Sequence, residues 1–200
     1  IGDRMVKVKT YKATNEHYNY AHAGVEILSM SKRIMNRVMC LAEDNDMNIY
    51  YQDTDSMHID NKFIDPLSEL FYQKYNKELI GKGMGQFHGD FDSSIIKKNI
   101  HAKKSIFLGK KCYLDVLEGL DADGNLVNDY HIRMKGVGED VVKYYCKKNE
   151  ISVESLYEDL YNGEEFTFDL TNDGNKCSFE YKKNLEIISR EVFNRRISFK

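Results

Sequence analysis

Two aspartates, Asp53 and Asp55, stand one residue apart between two short segments of β-forming residues. Residues 48–51 precede the pair and residues 57–59 follow it, which predicts a strand, a tight turn and a second strand. Like charges held this close disfavour each other's ionisation. A bound cation removes that conflict, and hard ions such as magnesium take oxygen ligands together with waters and substrate phosphates. The sequence therefore predicts a metal-phosphate site at the tip of a β-hairpin.

The bulk composition limits the classes of protein that the chain can belong to. It has 200 residues, 42% of them hydrophobic and 30% charged, which is enough for one globular domain or two small ones. The formal net charge is −3, so a nucleic-acid site would have to depend on locally clustered positive charge. No apolar run approaches the ~18 residues of a membrane span, so no membrane partner is expected. The cysteines are far apart and lack metal-ligand spacing, which predicts reduced thiols and an intracellular, reducing setting; they are Cys40, Cys112, Cys146 and Cys177.

The hydrophobic periodicity predicts an α+β fold with most strands in hairpins. Residues 21–43 carry apolar side chains at helical spacing, which predicts a long amphipathic helix before the first hairpin. Asp65 and Pro66 predict the start of a second helix, with Asp65 as N-cap and Gly81 as the terminating residue. The remaining predicted elements are strands at 106–108, 112–117 and 130–134, helices at 139–148 and 152–161, and strands at 165–170 and 177–181 on either side of Asn172-Asp173-Gly174. A subdomain boundary is predicted near residues 136–138.

Positive charge is concentrated between residues 95 and 113. This segment contains no Asp or Glu, and its basic residues are Lys97, Lys98, His101, Lys103, Lys104, Lys110 and Lys111. Its last two lysines stand beside Tyr113 at the start of a predicted strand, and Lys135 follows the returning strand. Lysines can neutralise backbone phosphates, and a tyrosine can donate to a phosphate or pack on a sugar. The alternative is a solvated face with scattered lysines.

Two other classes of protein carry similar acidic motifs. Phosphatases of the haloacid-dehalogenase type have a strand followed by D-x-D-x-T/V, with the first Asp as nucleophile. Here Met57 takes the last position of that motif, and Ser94 stands where the final Asp of a downstream G-D-x-x-x-D should be. Residues 121–125 are similar to a calcium loop, but Gly124 comes two positions early and no closing Glu follows. A hairpin turn is predicted at 121–125 instead.

The order of motifs along the chain resembles the C-terminal part of family B DNA polymerases, in particular the protein-primed branch found in certain phages, linear plasmids and related mobile elements. The motifs that carry this resemblance are GVEILSMSK at 24–32, YQDTDSMHI at 51–59, MGQF at 84–87, KKCY at 110–113 and MKG at 134–136. The resemblance covers nearly the whole chain. It implies a polymerase palm over residues 1–137 and a thumb over residues 138–200.

The resemblance also implies an activity and its partners. The activity is that of a DNA-directed DNA polymerase, a nucleotidyltransferase that acts by a two-metal mechanism. Its partners would be primer-template DNA and a dNTP, and whether a terminal priming protein is another stays open. The resemblance implies an intracellular protein encoded by a virus, plasmid or mobile element.

The implied metal site lies in YxDTDS, which is similar to the family's motif C. The resemblance makes Asp55 the main metal ligand and Asp53 its weaker or indirect partner. Thr54, between them, is assigned to cofactor binding. The implied cofactor is Mg²⁺, with two ions in the complete enzyme and Mn²⁺ as an alternative.

The implied DNA-binding residues lie in the basic segment. Lys111 and Tyr113 match the family's K-x-Y motif, which implies a contact with primer-template near the 3′ end. Lys110 beside them and Lys135 after the returning strand are assigned to the same DNA contact.

The departures from the family pattern affect the expected activity. The family's other carboxylate motif, D-x-x-S-L-Y-P, and its nucleotide-binding motif, K-x(3)-N-S-x-Y-G, have no counterpart in these residues. Ile1 is not a methionine, and residues 2–12 already follow a mid-chain pattern, so we expect a fragment without polymerase activity of its own. The alternative is a catalytically inactive DNA-binding or assembly module derived from a polymerase, in which Asp53 and Asp55 are vestigial.

Overall fold

The computed structural model describes residues 20–170, 177–181, 187–191 and 193–199, with the backbone alone for 177–181 and 187–191. The chain divides into two compact units, residues 1–88 and 89–200. Helices and small antiparallel sheets alternate along it, which confirms the α+β class. Ile1, residues 2–12 and the predicted turn at Asn172-Asp173-Gly174 lie outside the described residues.

The elements of the first unit are α1 (Ala21–Glu43), β1 (Ile49–Gln52), β2 (Met57–Ile59), a short 3-10 helix (Asn61–Phe63) and α2 (Ile64–Tyr75). Helix α1 has the bounds that the periodicity predicts. Its C-terminal half buries Val38 and Leu41 against Leu67 and Phe71 of α2. The spacing of three and four residues brings each pair onto one side of its helix, which is why the two helices can share a core.

The first hairpin packs its base on this core. Strands β1 and β2 are antiparallel, with Ile49 opposite Ile59 and Gln52 opposite Met57. Ile49, Met57 and Ile59 are partly buried against the helices. The apolar positions therefore fix one face of the hairpin, while its turn projects away from the packed base.

The predicted ends of the second helix are wrong in two respects. Asp65 is not the N-cap, because α2 begins at Ile64 after the 3-10 helix, and no side chain caps it. The helix ends at Tyr75 rather than near Gly81, because Asn76 adopts the left-handed conformation (φ 52°, ψ 45°) and donates its N–H to the Tyr72 carbonyl at 2.7 Å. Asparagine tolerates this conformation better than most residues.

Gly81 instead lies in the loop that carries the M-G-Q-F motif. Its N–H donates to the Phe87 carbonyl at 2.9 Å, and the Phe87 N–H donates to the Leu79 carbonyl at 2.8 Å. The side chain of Gln86 accepts from the Gly83 N–H at 2.7 Å, so it closes the loop from inside.

The second unit is built on a three-stranded antiparallel sheet in the order β3-β4-β5. Its strands are β3 (Lys98–Gly109), β4 (Cys112–Leu120) and β5 (Leu126–Met134), each longer than predicted. The β4–β5 connection is the predicted hairpin turn. Asp121 Oδ1 accepts from the N–H groups of Asp123 and Asn125 at 2.9 and 2.8 Å, and Gly124 takes a positive φ of 87°. Hydrogen bonds from Asn125 are the main cause of the lowered pKa of Asp121. The Asp121 carboxylate thus has its hydrogen-bond donors within the turn.

Two helices cover one face of this sheet. Helices α3 (Glu139–Lys148) and α4 (Val153–Tyr161) confirm the two predicted helices. Ser152 caps α4 by accepting from the Ser155 N–H at 2.9 Å. The core between sheet and helices includes Leu114, Ile132, Val142, Leu156 and Leu160.

Polar contacts fix α4 on the sheet. The buried Tyr157 hydroxyl donates to the Arg133 carbonyl at 2.8 Å, and burial raises the pKa of this phenol.

The predicted subdomain boundary at residues 136–138 falls between β5 and α3, inside the second unit. The division into palm and thumb stays a prediction.

The last strands pair with each other rather than with the main sheet. They are β6 (Glu165–Asp169), β7 (Cys177–Tyr181), β8 (Ile187–Glu191) and β9 (Asn194–Ser198). Strand β6 pairs with β9 and β7 pairs with β8, both antiparallel.

In the part of the chain that the structure describes, no helix is long and apolar enough to cross a membrane.

Candidate functional site

The predicted metal site lies on the turn between β1 and β2. Asp53, Thr54 and Asp55 form this turn with Ser56, and the Asp53 N–H donates to the Ser56 carbonyl at 3.0 Å. The β-forming residues on both sides pair as an antiparallel hairpin, as the sequence predicts. The structure therefore brings all three predicted residues together at one hairpin tip.

The two carboxylates of this turn differ in their local contacts. Asp53 Oδ1 accepts from the Thr54 N–H at 2.8 Å and from the Thr54 hydroxyl at 3.2 Å. Asp55 is exposed and forms no hydrogen bond or ion pair with the residues that the structure describes. Asp55 thus keeps both carboxylate oxygens available, whereas one oxygen of Asp53 is already engaged by its neighbour.

Side chains at the base of the hairpin hold its orientation. Tyr51 and His58 are cross-strand neighbours, with ring centroids 5.6 Å apart in an edge-to-face arrangement. The Tyr50 hydroxyl donates to Asp60 Oδ2 at 3.2 Å, and the Lys62 ammonium lies 3.4 Å from the same oxygen. The Asp60 carboxylate is therefore neutralised locally, unlike that of Asp55.

The donors at the tip fit a small hard cation. Mg²⁺ is usually held by one or two carboxylates, with waters and substrate phosphates as its other ligands. Asp55 and Asp53 supply carboxylate oxygens of this kind on one exposed turn. Among the described residues, no group of three or more His, Cys, Asp or Glu side chains has the arrangement of a metal site.

The predicted DNA-binding residues lie at one end of the β3-β4-β5 sheet. Lys110 and Lys111 form the β3–β4 turn, where Lys111 adopts a left-handed φ of 58°, and both are exposed. Cys112 pairs with Met134 in the last row of the ladder, so Lys111 and Lys135 extend side by side from the two strand ends. The sheet thus brings Lys110, Lys111 and Lys135 close to Tyr113, which lies one row into the β4–β5 ladder.

The other lysines of the basic segment differ in their environment. The Lys103 ammonium lies 3.0 Å from Glu118 Oε2. The Lys104 ammonium lies 2.6 Å from Oε1 of both Glu154 and Glu158, whose hydrogen bonds raise the Lys104 pKa to about 12. The segment itself lacks acidic residues, but α4 and β4 supply them. Its positive charge is therefore partly neutralised, and the basic segment is not one continuous cationic face.

Three cations at the end of the sheet that carries the β3–β4 turn lack such acidic partners among the described residues. Lys110 and Lys135 form no ion pair with any residue that the structure describes, and the same holds for Arg133, which stands directly across from Tyr113 in β5. The sequence alone does not single out Arg133. The signal that could have found it is the register of the β4–β5 hairpin, which fixes the residue opposite Tyr113.

A second arginine at this end comes from the last strand. The Arg195 guanidinium lies over Gly136, where an added Cβ would stand 2.5 Å from its Cζ. Gly136 also has a positive φ of 81°, so a side chain there would meet both backbone strain and the arginine. The glycine of the M-K-G motif thus allows the Arg195 guanidinium to lie close to the backbone at this position. No local sequence signal points to this contact.

The sheet also contains a buried acidic residue that the sequence analysis missed. Asp115 is the one charged side chain that is fully buried among the described residues, with 0% exposure. Its carboxylate accepts from the Ser105 hydroxyl at 2.6 Å and lies 3.0 Å from His131 Nδ1. The period of alternation along β4 predicts an apolar or buried residue near this position, but only the register of three strands shows its partners.

Comparisons with known proteins add no family to this description. No protein-family model matches the chain, and no curated protein matches it. The two predicted sites lie in different units, the aspartates in the first and the lysines with Tyr113 in the second. Their assignment to a function therefore depends on the chemistry of each site.

Proposed function

We propose that the chain is part of a DNA-directed DNA polymerase of family B, of the protein-primed type. In this proposal residues 1–137 belong to the palm and residues 138–200 to the thumb. The observation that carries the proposal is the asymmetric pair of carboxylates at the hairpin tip, with Asp55 exposed and Asp53 held by Thr54.

The asymmetry fits different roles for the two aspartates. Asp55 would be the principal ligand of Mg²⁺ because both of its oxygens are available. Asp53 would assist, and Thr54 would hold the Asp53 carboxylate through its N–H and hydroxyl. When bound, two such ions would supply activation of the primer 3′-hydroxyl and charge stabilisation for the triphosphate. The chain's own contribution is to hold carboxylate oxygens at a fixed point on a packed hairpin.

The basic end of the β3-β4-β5 sheet supports primer-template DNA as the partner. Lys110, Lys111 and Lys135 are exposed there, and Tyr113 lies one row away. Ammonium groups would neutralise backbone phosphates and the tyrosine would pack on or donate to the backbone, without reading sequence. Such contacts suit an enzyme that must bind every primer-template alike.

Substitution of the tip aspartate tests the catalytic role. In the polypeptide that carries the remaining polymerase motifs, Asp55→Asn is expected to abolish Mg²⁺-dependent primer extension. The dissociation constant for primer-template should change by less than about twofold, because the proposed phosphate contacts are made by Lys110, Lys111 and Lys135 and not by Asp55. Asp60→Asn is the matched control, since this neighbouring carboxylate is engaged by Tyr50 and Lys62 and should leave extension nearly unchanged.

Retained extension in the Asp55→Asn variant would refute the metal-ligand role. The 200 residues alone should bind primer-template without extending it, because the family's other carboxylate motif has no counterpart among them. Templated extension by these residues alone would contradict that expectation. If the unmodified polypeptide with the remaining motifs bound primer-template but did not extend it, the inactive DNA-binding module would become the better interpretation.

A further inference from the structure

The buried Asp115 lies at the centre of a polar row that crosses the main sheet. Ser105 of β3 and His131 of β5 are its register partners on the two sides. A carboxylate removed from water is costly unless it is hydrogen-bonded. Here the Ser105 hydroxyl and His131 Nδ1 provide the hydrogen bonds, at 2.6 and 3.0 Å. The row therefore depends on all three strands.

The contact with Asp115 restricts the orientation of the His131 ring. When the Asp115 carboxylate is ionised it can only accept, and His131 Nδ1 then donates the hydrogen to Asp115 Oδ2. The histidine side chain is mostly buried, with 14% exposure. Phe91 packs its edge against the ring at a centroid distance of 5.8 Å. The hydrogen bond to Asp115 and the contact with the Phe91 ring thus both limit the rotation of the imidazole.

His131 in turn contacts Tyr113, the aromatic residue of the K-x-Y motif. Their ring centroids are 5.7 Å apart with an interplanar angle of 59°. Phe107, the cross-strand partner of Tyr113 in β3, lies 6.0 Å away on the other side. Tyr113 is therefore confined between Phe107 and His131, and the second of these is fixed from the sheet interior by Asp115. Aromatic contacts at these distances favour particular ring orientations.

We propose that His131, held by the buried Asp115, is a positioning residue that orients Tyr113 toward primer-template DNA. This inference rests on the proposed function, because it requires that Tyr113 contacts DNA. The competing explanation is that the Ser105–Asp115–His131 row only stabilises the sheet. The two explanations differ in whether the effect of changing His131 depends on the presence of Tyr113.

A double-mutant cycle on the 200-residue chain separates these explanations. The probe is a fluorescently labelled primer-template duplex, and the readout is its dissociation constant from anisotropy. His131→Asn is the chosen variant because its amide can still donate to Asp115, so the buried carboxylate keeps a partner while the ring against Tyr113 is lost. His131→Asn and Tyr113→Ala are each expected to weaken binding about tenfold, the size of coupling seen between contacting residues. The double variant should bind no more weakly than Tyr113→Ala alone.

Ser105→Ala is the matched control for loss of stability. It removes the other hydrogen bond to Asp115 and leaves the His131 ring in contact with Tyr113. We expect a lower melting temperature for Ser105→Ala with less than a twofold change in the dissociation constant. If Ser105→Ala weakened binding as much as His131→Asn, the row would act through stability, and the positioning role would be overturned.

The outcomes also separate this inference from the proposed function. If Tyr113→Ala left DNA binding unchanged, the K-x-Y contact itself would be wrong. If Tyr113→Ala weakened binding but the two substitutions were independent, giving about a 100-fold loss in the double variant, only the positioning role of His131 would be overturned.

Discussion

The salt dependence of DNA binding tests which lysines of the basic segment contact phosphates. Each phosphate that a lysine neutralises contributes about 0.9 to the slope of log affinity against log salt on duplex DNA. Three exposed lysines lie at the end of the main sheet that carries the β3–β4 turn: Lys110, Lys111 and Lys135. Three contacts predict a slope of about −2.7, which is about a 40-fold loss of affinity between about 50 and 200 mM salt.

Lys111→Ala should remove one of these contacts. The slope would then fall to about −1.8, and the loss of affinity over the same salt range to about 12-fold. The measurement is the dissociation constant of the 200-residue chain for a primer-template duplex at five or more salt concentrations. A difference of one unit in slope is large compared with the error of such a titration.

Lys104→Ala provides the matched control for this experiment. It removes the same formal charge from the same basic segment, but the Lys104 ammonium is hydrogen-bonded to Glu154 and Glu158. We expect its slope to equal that of the unmodified chain. An unchanged slope for Lys111→Ala, or an equal decrease in slope for Lys104→Ala, would mean that the basic segment is a solvated face without a DNA contact.

Two further predictions concern the stability of the second unit and its thiols. Leu160→Ala, at a fully buried core position, should lower the free energy of unfolding by about 2–5 kcal/mol in urea denaturation. Substitution of its exposed neighbour Tyr161 by alanine should lower it by less than about 0.5 kcal/mol. Equal decreases for the two variants would show that α4 does not pack as described. Cys40 is exposed, whereas Cys112 is buried and burial raises its pKa to about 11, so alkylation near pH 8 followed by peptide mapping should label Cys40 first. Rapid labelling of Cys112 in the folded chain would contradict the buried position of β4.

The sequence predicts those elements best whose signals are local. The apolar spacing of α1 and α3 gives their bounds to the residue, because apolar side chains recur at helical spacing along both, although α1 buries only side chains of its C-terminal half. The end of α2 is missed because Asn76 and Gly81 both signal termination, and the choice depends on which residue takes the left-handed conformation. The pairing of β6 with β9 has no local signal, since it joins residues about thirty positions apart.

The candidate sites follow the same physical division. The hairpin tip is predictable because Asp53, Thr54 and Asp55 act within one turn, and the hydrogen bonds that distinguish the aspartates come from the adjacent residue. The state of Lys104 is not predictable from its neighbours, because its partners Glu154 and Glu158 follow fifty and more residues later. Local composition therefore overestimates the positive charge that a partner would meet.

The register of the main sheet explains why charge is neutralised at one end and retained at the other. Near the C-terminal end of β4, Glu118 stands where the lysine and histidine side chains of β3 can reach it, at 3.0 Å for Lys103 and 3.9 Å for His101. At the turn end, the row that contains Tyr113 pairs it with Phe107 and Arg133, so no carboxylate enters that row. A shift of one residue in register would move these side chains to the opposite face. The charge of Lys110, Arg133 and Lys135, which form no ion pair with the described residues, is thus a consequence of strand pairing, whereas Lys103 and Lys104 are paired with glutamates.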